Sequence, residues 1–320
     1  MLNEGETMNI RLSLTALLFA FLVVPPIVAQ DLGPHFRKIK DGIYIQTSRP
    51  VSESTERQAT SNGGIIVTSE GIVLVDSGQT AIDSREIAEA AKKLSPLPVR
   101  FIINTETHQD HSYGHWLFSP PAVVINTEGA GKEMRESFNP NRAAEQSRQS
   151  PQMAEALKDF RLVPPQLEFG DKLTLHVGER TLELLNLGTT HSLANAAVWL
   201  PNERVLFAAS VAVENQINTI RPHTNIPDML AMMKMMKALN PEVVIPGHGA
   251  PTTTKMFDFY SGYLETLVDR VGKLMRDGKS LDQIKQELRM PEYENFIGYK
   301  ERIANNIEAA HRAIQGGYRP

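Results

Sequence analysis

Short apolar runs separated by glycine- and asparagine-rich turns dominate the first part of this chain. Ile43–Gln46, Gly64–Thr68 and Gly71–Asp76 read as strands, with Asn62-Gly63-Gly64 and Ser69-Glu70-Gly71 as turns beside them. Val99–Ile103, Ala122–Ile125, Leu173–Val177, Leu182–Leu187, Ala196–Leu200 and Val205–Phe207 extend the strand-rich body. Ala81–Leu94 differs: Ile82, Ile87, Ala90, Ala91 and Leu94 fall on one stripe, the spacing of an amphipathic helix. Asp228–Leu239 is a second helical stretch. Strands alternating with helices, together with successive antiparallel hairpins, predict a mixed α/β sandwich.

Two stretches break this rhythm. Residues 131–161 are polar, charged and helical, and read as an insertion, either a lid at a site edge or a solvated helical pair. From residue 255 to 320 the chain forms a helical extension without metal-ligand candidates. There Tyr260, Tyr263, Leu264, Leu267, Val271 and Leu274 keep helical spacing, and Gly278-Lys279-Ser280 reads as a C-cap followed by an N-cap. The cluster Met229, Met232, Met233, Met235 and Met236 has helical spacing and apolar neighbours, which favours core packing over a copper site.

Composition narrows the setting. Arg11, the apolar run Leu12–Val24, Pro25-Pro26 and Ile27-Val28-Ala29 have the layout of a secretory signal peptide over residues 1–29, with Met8 as an alternative start. Prolines interrupt the run, which argues against a spanning helix or a stable membrane anchor, so a periplasmic or secreted protein is expected. The absence of cysteine excludes disulfides, a thiolate ligand and a thiol nucleophile. With 33 basic and 37 acidic residues the formal charge is −4, which argues against nucleic acid as a partner and toward a small-molecule substrate. Nothing in the sequence sets an oligomeric state.

Candidate chemistry begins where the Phe101–Ile103 run ends. Glu106-Thr107-His108-Gln109-Asp110-His111 offers four side chains able to ligate metal. On an extended backbone alternate side chains share a side, so Glu106, His108 and Asp110 are expected to converge, with His111 turning in from the next segment. His191, in Gly188-Thr189-Thr190-His191, and His248, in Pro246-Gly247-His248-Gly249, each follow a short apolar run and sit beside glycine. Ligands supplied by three loops at strand ends are what a preorganised metal pocket needs.

These motifs, with Asp76 after Ile72–Val75 and Ser210 after Phe207-Ala208-Ala209, resemble the metallo-β-lactamase superfamily over roughly Phe36 to Thr254. The resemblance implies an αββα sandwich spanning residues 30–254, followed by the C-terminal helical extension. It implies one metal set of Glu106, His108 and His191 and another of Asp110, His111 and His248. Glu106 stands where the family usually has histidine, and Ser210 where many members have a bridging aspartate. Ser210 is similar to the arrangement in a subclass of true β-lactamases. A carboxylate ligand adds negative charge, weakens the ion as a Lewis acid and tilts preference toward iron or manganese.

The implied activity is that of an exported zinc-dependent hydrolase with one or two ions. Hydroxide generated at the metal would attack an ester, lactone, lactam or thioester, and Asp110 would orient it and accept its proton. A true metallo-β-lactamase is the rival within that class. A mononuclear iron oxidoreductase of the sulfur-dioxygenase type is a rival outside it, and a degenerate binding fold is a third reading. Asp76 either caps its turn or orients a ligand histidine. His223, beside Arg221, either contacts an anionic substrate or makes a loop hydrogen bond. His115 reads as structural or substrate-facing, and His35, His176 and His311 receive no function.

Overall fold

The structure, a computed structural model, describes residues 31–49, 60–137, 139–213 and 215–318. The signal-peptide reading of residues 1–29 lies outside the described residues. One sheet contains β1 (Phe36–Lys40), β2 (Ile43–Gln46), β3 (Gly63–Thr68), β4 (Gly71–Val75), β5 (Val99–Ile103), β6 (Val123–Thr127) and β7 (Leu167–Phe169), neighbours in space as in sequence. Its strands pair antiparallel from β1 to β4 and parallel from β4 to β7. The second sheet contains β8 (Lys172–Val177), β9 (Arg180–Gly188), β10 (Asn195–Leu200), β11 (Val205–Phe207) and β12 (Val243–Ile245). Its order is β12-β11-β10-β9-β8, antiparallel except for the β11–β12 pair.

Alternation of side chains turns these two sheets into four layers. In β4, Val73 and Val75 face inward and join Ile103, Ile125, Leu184 and Val198 in the core between the sheets. Ile72 and Leu74 face the other way, against Ile87, Ala90 and Ala91 of the helix Ala81–Leu94. β10 divides likewise: Ala196, Val198 and Leu200 point inward, Ala197 and Trp199 outward onto helices. Residues that alternate apolar on both faces can be buried on both, which a sandwich covered by helices provides. At Gly64 the sheets come so close that a Cβ would lie 2.7 Å from Phe207 Cε1 and 2.9 Å from Val75 Cβ. Only glycine fits that contact without displacing the core.

The outward face of the second sheet is covered by Ile226–Ala238 and by the C-terminal helices Lys255–Arg276 and Tyr299–Gln315. Met229, Met233 and Met236 are buried there beside Tyr260, Tyr263 and Leu267, so the methionine cluster is core. Gly278 (φ +79) ends the first of the two C-terminal helices. Ser280 then caps the short helix Leu281–Glu287, in reciprocal hydrogen bonding with Gln283. Among the described residues no helix is long and apolar enough to cross a membrane.

The extension also anchors the loop that carries Arg221. Asn306 is fully buried; its side-chain oxygen accepts from Ile220 N at 2.8 Å, and its amide nitrogen donates to Asn218 O and Tyr263 Oη at 2.9 Å each. One side chain thus meets one backbone donor and one backbone acceptor of that loop. Asn306→Leu keeps the volume but leaves Ile220 N–H buried without a partner, an expected loss of about 3 kcal/mol. Chemical denaturation of both proteins measures it. An unchanged midpoint would mean the loop is held by other contacts.

Candidate metal centre

The centre forms where the two sheets meet at one edge. Beyond β5, Glu106 makes an isolated β-bridge with Asn195, and Ala196 N donates to Thr105 O at 2.7 Å. The chain bends at Thr107 and His108, although His108 itself is extended (φ −62, ψ 151), and then enters the helical turn Gln109–Ser112. Glu106, His108 and Asp110 thus reach the same cleft, Asp110 from a helical turn rather than by strand alternation. The structure gathers Glu106, His108 and His191 into one set and Asp110, His111 and His248 into another. Within each set the ligand atoms lie within 4.8 Å of one another. His111 Nε2 adjoins both sets, 3.3 Å from Glu106 Oε1 and 3.6 Å from Asp110 Oδ2.

A layer of polar groups behind the rings aims them. Asp76 Oδ2 takes His111 Nδ1 at 2.7 Å, leaving Nε2 to face the cleft. Asp76 itself accepts from Thr105 N and Thr105 Oγ1 at 2.7 Å each, and from Asn104 Nδ2 at 3.2 Å. It sits at φ 58, a left-handed conformation that costs a non-glycine residue energy and that this network stabilises. His248 Nδ1 donates to Thr60 O at 3.1 Å, which leaves its Nε2 3.2 Å from Asp110 Oδ2. Asn62 Nδ2 reaches Pro246 O and Gly249 O, bracketing the His248 turn. Ser192 Oγ donates to Asn195 Oδ1 at 2.9 Å and so ties the turn after His191 to β10. Ser210 Oγ lies 3.5 Å from His111 Nε2, and Gly247 makes that approach possible, since a Cβ there would stand 2.1 Å from Ser210 Oγ.

The electrostatics suit a cation. Glu106 is fully buried; burial raises its pKa, but His111, His191 and His108 outweigh that and hold the carboxyl well below its usual range. Neither of its oxygens accepts a hydrogen bond of sound geometry among the described residues, although imidazole nitrogens of all three histidines lie beside them. A fully buried carboxylate ringed by imidazole nitrogens without a well-formed hydrogen bond is an arrangement that a metal ion satisfies. Burial also opposes charge on Asp110, yet His111 and His248 bring its pKa down to about 2. On His111 burial is outweighed by Glu106, Asp76 and Asp110, which push it up to about 10. Three carboxylates thus attract a positive charge that a bound ion supplies in place of the proton. His191 is pulled down to about 4, chiefly by burial, and offers a neutral ring.

Two cavities meet at these residues. One, about 530 Å³, is lined by His108, Asp110, His191 and His248 together with Glu133, Met134 and Asn139 of the 131–161 segment. That segment is no detached surface ornament: Met153, Leu157 and Phe160 pack on Tyr113, and Gln146 Nε2 donates to Gln109 Oε1 at 2.7 Å. The other cavity, about 580 Å³, has His191, His248 and Ser210 at one side and Arg302 of the C-terminal helix at another. His223 lines neither; its hydrogen bond goes to the His191 backbone, as in the loop-bonding alternative, and it faces a separate cleft against the last helix. Sequence reasoning missed Asn62, Thr105 and Arg302. The asparagine before Gly63-Gly64 reads only as a turn former, and a lone arginine in an amphipathic helix carries no local signal.

A family model described as the metallo-beta-lactamase superfamily matches residues 58–248. Among curated proteins, metallo-beta-lactamase type 2 of Bacteroides fragilis is 29% identical over 121 residues, 36% of this chain and 48% of that protein. The 2,4-dinitroanisole O-demethylase subunit alpha of Nocardioides sp. (strain JS1661) is 24% identical over 151 residues, 47% of this chain and 40% of that one. The chain thus spans less than half the length of these relatives. Among solved structures, a metallo-beta-lactamase from Pontibacter korlensis superposes with TM-score 0.54 at 21% identity, covering 70% of this chain and 94% of that one. The inverting sec-alkylsulfatase Pisa1 from Pseudomonas sp. gives 0.68 at 19% identity, covering 88% and 50%. At these identities the superpositions speak for the fold.

Next to the site, His115 is fully buried, with Nδ1 3.2 Å from Val163 O. Burial brings its pKa down from 6.5 to about 4. A depressed histidine is stabilising while neutral: its contribution is complete above the unfolded value of 6.5 and is lost as pH falls toward 4, because the unfolded chain takes up the proton first. The loss amounts to about 3 kcal/mol. His115→Phe should therefore lose less stability than wild type between pH 7 and pH 4 in urea titrations. Parallel pH profiles for the two proteins would refute the burial of a neutral ring.

Proposed function

The chain belongs to the metallo-beta-lactamase superfamily, and on that footing we propose that it is a metal-dependent hydrolase of esters, lactones, lactams or thioesters. The observation that carries the reading is the fully buried Glu106 carboxylate beside Asp110, ringed by imidazole nitrogens of three histidines with no hydrogen bond of sound geometry among the described residues. Glu106, His108 and His191 would hold one ion, and Asp110, His111 and His248 a second, zinc being the expected metal. An ion in such a site supplies a Lewis acid and lowers the pKa of water. Asp110, ionised near neutrality, accepts a hydrogen bond from the attacking water and orients it. Asp76 keeps His111 Nε2 turned into the cleft, while Ser210 closes its floor. The bond to be cleaved would lie at the junction of the two cavities, with the 131–161 segment over one end of the substrate.

β-Lactams are the first substrates to assay, given the name of the Bacteroides relative. A second reading has one observation in its favour: Glu106, His108 and His191 form a two-imidazole, one-carboxylate set of the kind that suits non-haem iron. Metal analysis of protein purified without added zinc separates the two. Iron near one equivalent, with oxygen uptake, would replace the hydrolase reading. Export is part of the proposal and rests on the leader pattern alone. Mass spectrometry of protein recovered from a bacterial periplasm should find an amino terminus near Gln30, and an intact leader on soluble cytoplasmic protein would remove the assignment.

Asp110→Asn keeps the side chain's shape and removes its charge. Metal content at the second set should fall, and turnover should drop by roughly a hundred- to ten-thousand-fold. His311→Ala, far along the last helix, should turn over like wild type. Both variants are compared by hydrolysis rate, metal content and melting temperature. Near-full activity in folded Asp110→Asn would end the mechanism centred on this carboxylate.

A further inference from the structure

The cavity on the Ser210 side has an unusual lining for a chain of formal charge −4. Three arginines border it, Arg49, Arg221 and Arg302, and no described carboxylate does. Arg49 is accounted for: it is buried and ion-paired with Asp83 and, at 3.3 Å, with Glu86. The other two are not. Arg221 Nη1 donates to His108 Nε2 at 2.7 Å and Arg302 Nη1 to Ile217 O at 2.5 Å. Among the described residues neither guanidinium is ion-paired, and both are half-buried. Each has five N–H donors, so one hydrogen bond leaves most of its capacity open.

The remaining walls are amides and hydroxyls, Gln216, Asn218, Thr219, Thr60 and Ser48, with no apolar side chain among them. The neighbouring cavity adds Met134, Leu162 and Tyr113 and, unlike this one, carries the carboxylates of Asp110 and Glu133. Half-buried cations facing an acid-free cavity favour an anion, because a guanidinium gives charge-assisted and often paired hydrogen bonds to an oxyanion. His191, His248 and Arg221 line both cavities, so a ligand in the basic one lies directly beside the candidate metal ligands.

We infer that this cavity is a subsite for an oxyanion end of the substrate, held between Arg221 and Arg302, so that the C-terminal helix supplies a specificity-determining residue. The inference rests on the hydrolase reading and adds to it a substrate with one anionic end and one end free of negative charge, cleaved between the two. The helix is well placed for this role. Arg302 and Asn306 stand one turn apart on it, and Asn306 fixes the loop that presents Arg221.

The test compares mono-4-nitrophenyl glutarate with its neutral methyl ester, and with 4-nitrophenyl 4-sulfobutanoate to separate a carboxylate from a sulfonate head. Wild type should favour the anionic esters in kcat/KM by roughly tenfold or more at low ionic strength. In Arg302→Gln, which keeps a donor for Ile217 O, that ratio should fall toward one, while the exposed Lys300→Gln control should retain it. A wild-type ratio near one overturns the subsite, as does an unchanged ratio in folded Arg302→Gln even if both rates fall. If no ester turns over, the hydrolase reading fails on these substrates, but the subsite is still decided by calorimetric titration with glutarate. Binding by wild type that weakens about tenfold in Arg302→Gln supports it, and no binding by wild type overturns it. Should the variant fail to fold, the wild-type ratio and titration alone decide for or against the subsite.

Discussion

A carboxylate with no exposed surface, at the seam between two sheets, is the constraint around which the rest is arranged. The backbone of Glu106 is tied to Asn195 by a β-bridge, and its side chain is fully buried. An isolated buried charge would cost several kcal/mol or would neutralise itself by taking a proton. Here the surrounding imidazoles keep it ionised, and those imidazoles must in turn be held. Asp76 holds His111, Thr60 and Asn62 hold His248 and its turn, and the Ser192–Asn195 pair holds the His191 turn. Backbone strain collects in the same place, at Asp76 (φ 58) and Ala209 (φ 49). Strain and buried charge are tolerable here because the four-layer body is well packed on both sides.

That body also explains why the ligands converge. β4, β5, β9 and β12 all end at the same edge of the sandwich, and the loops after them carry Asp76, Glu106 to His111, His191 and His248 in turn. Rigid strands fix where each loop starts, so short loops suffice to bring distant residues within ligand distance. Side chains on long loops would have to be ordered separately, with a conformational cost for each.

The strands and helices that the sequence pattern predicts carry an apolar run or stripe that packs into the core on at least one face, and that packing is why they are legible. Ala81–Leu94 and Val99–Ile103 match the pattern to the residue. The edge strands Phe36–Lys40 and Leu167–Phe169 do not stand out in it, because an edge strand keeps polar residues and gains its order from its neighbour rather than from an apolar run. Motif spacing likewise brings forward the residues that the structure gathers in the cleft. It does not show that Asp110 reaches the cleft from a helical turn, since period-two reasoning holds only while the chain is extended. The residues that aim the rings, such as Asn62 and Thr105, are hidden because their partners are far away in sequence.

The same distinction separates what the superfamily shares from what makes this chain particular. A fold that places ligands at one edge can serve many reactions, so the ligand sets alone say little about which molecule enters. The discriminating surfaces come from outside the strand framework. Glu133 and Met134 belong to the helical insertion, and Arg302 belongs to the last helix. Both additions are tied into the body, the insertion through Tyr113 and Gln109 and the extension through Asn306 and the helical core. A wall that is anchored keeps its shape when a substrate arrives, and preorganisation of that kind turns a cluster of charges into selectivity. The two cavities differ in charge because different additions line them, and a substrate long enough to fill both would be oriented before any bond is broken.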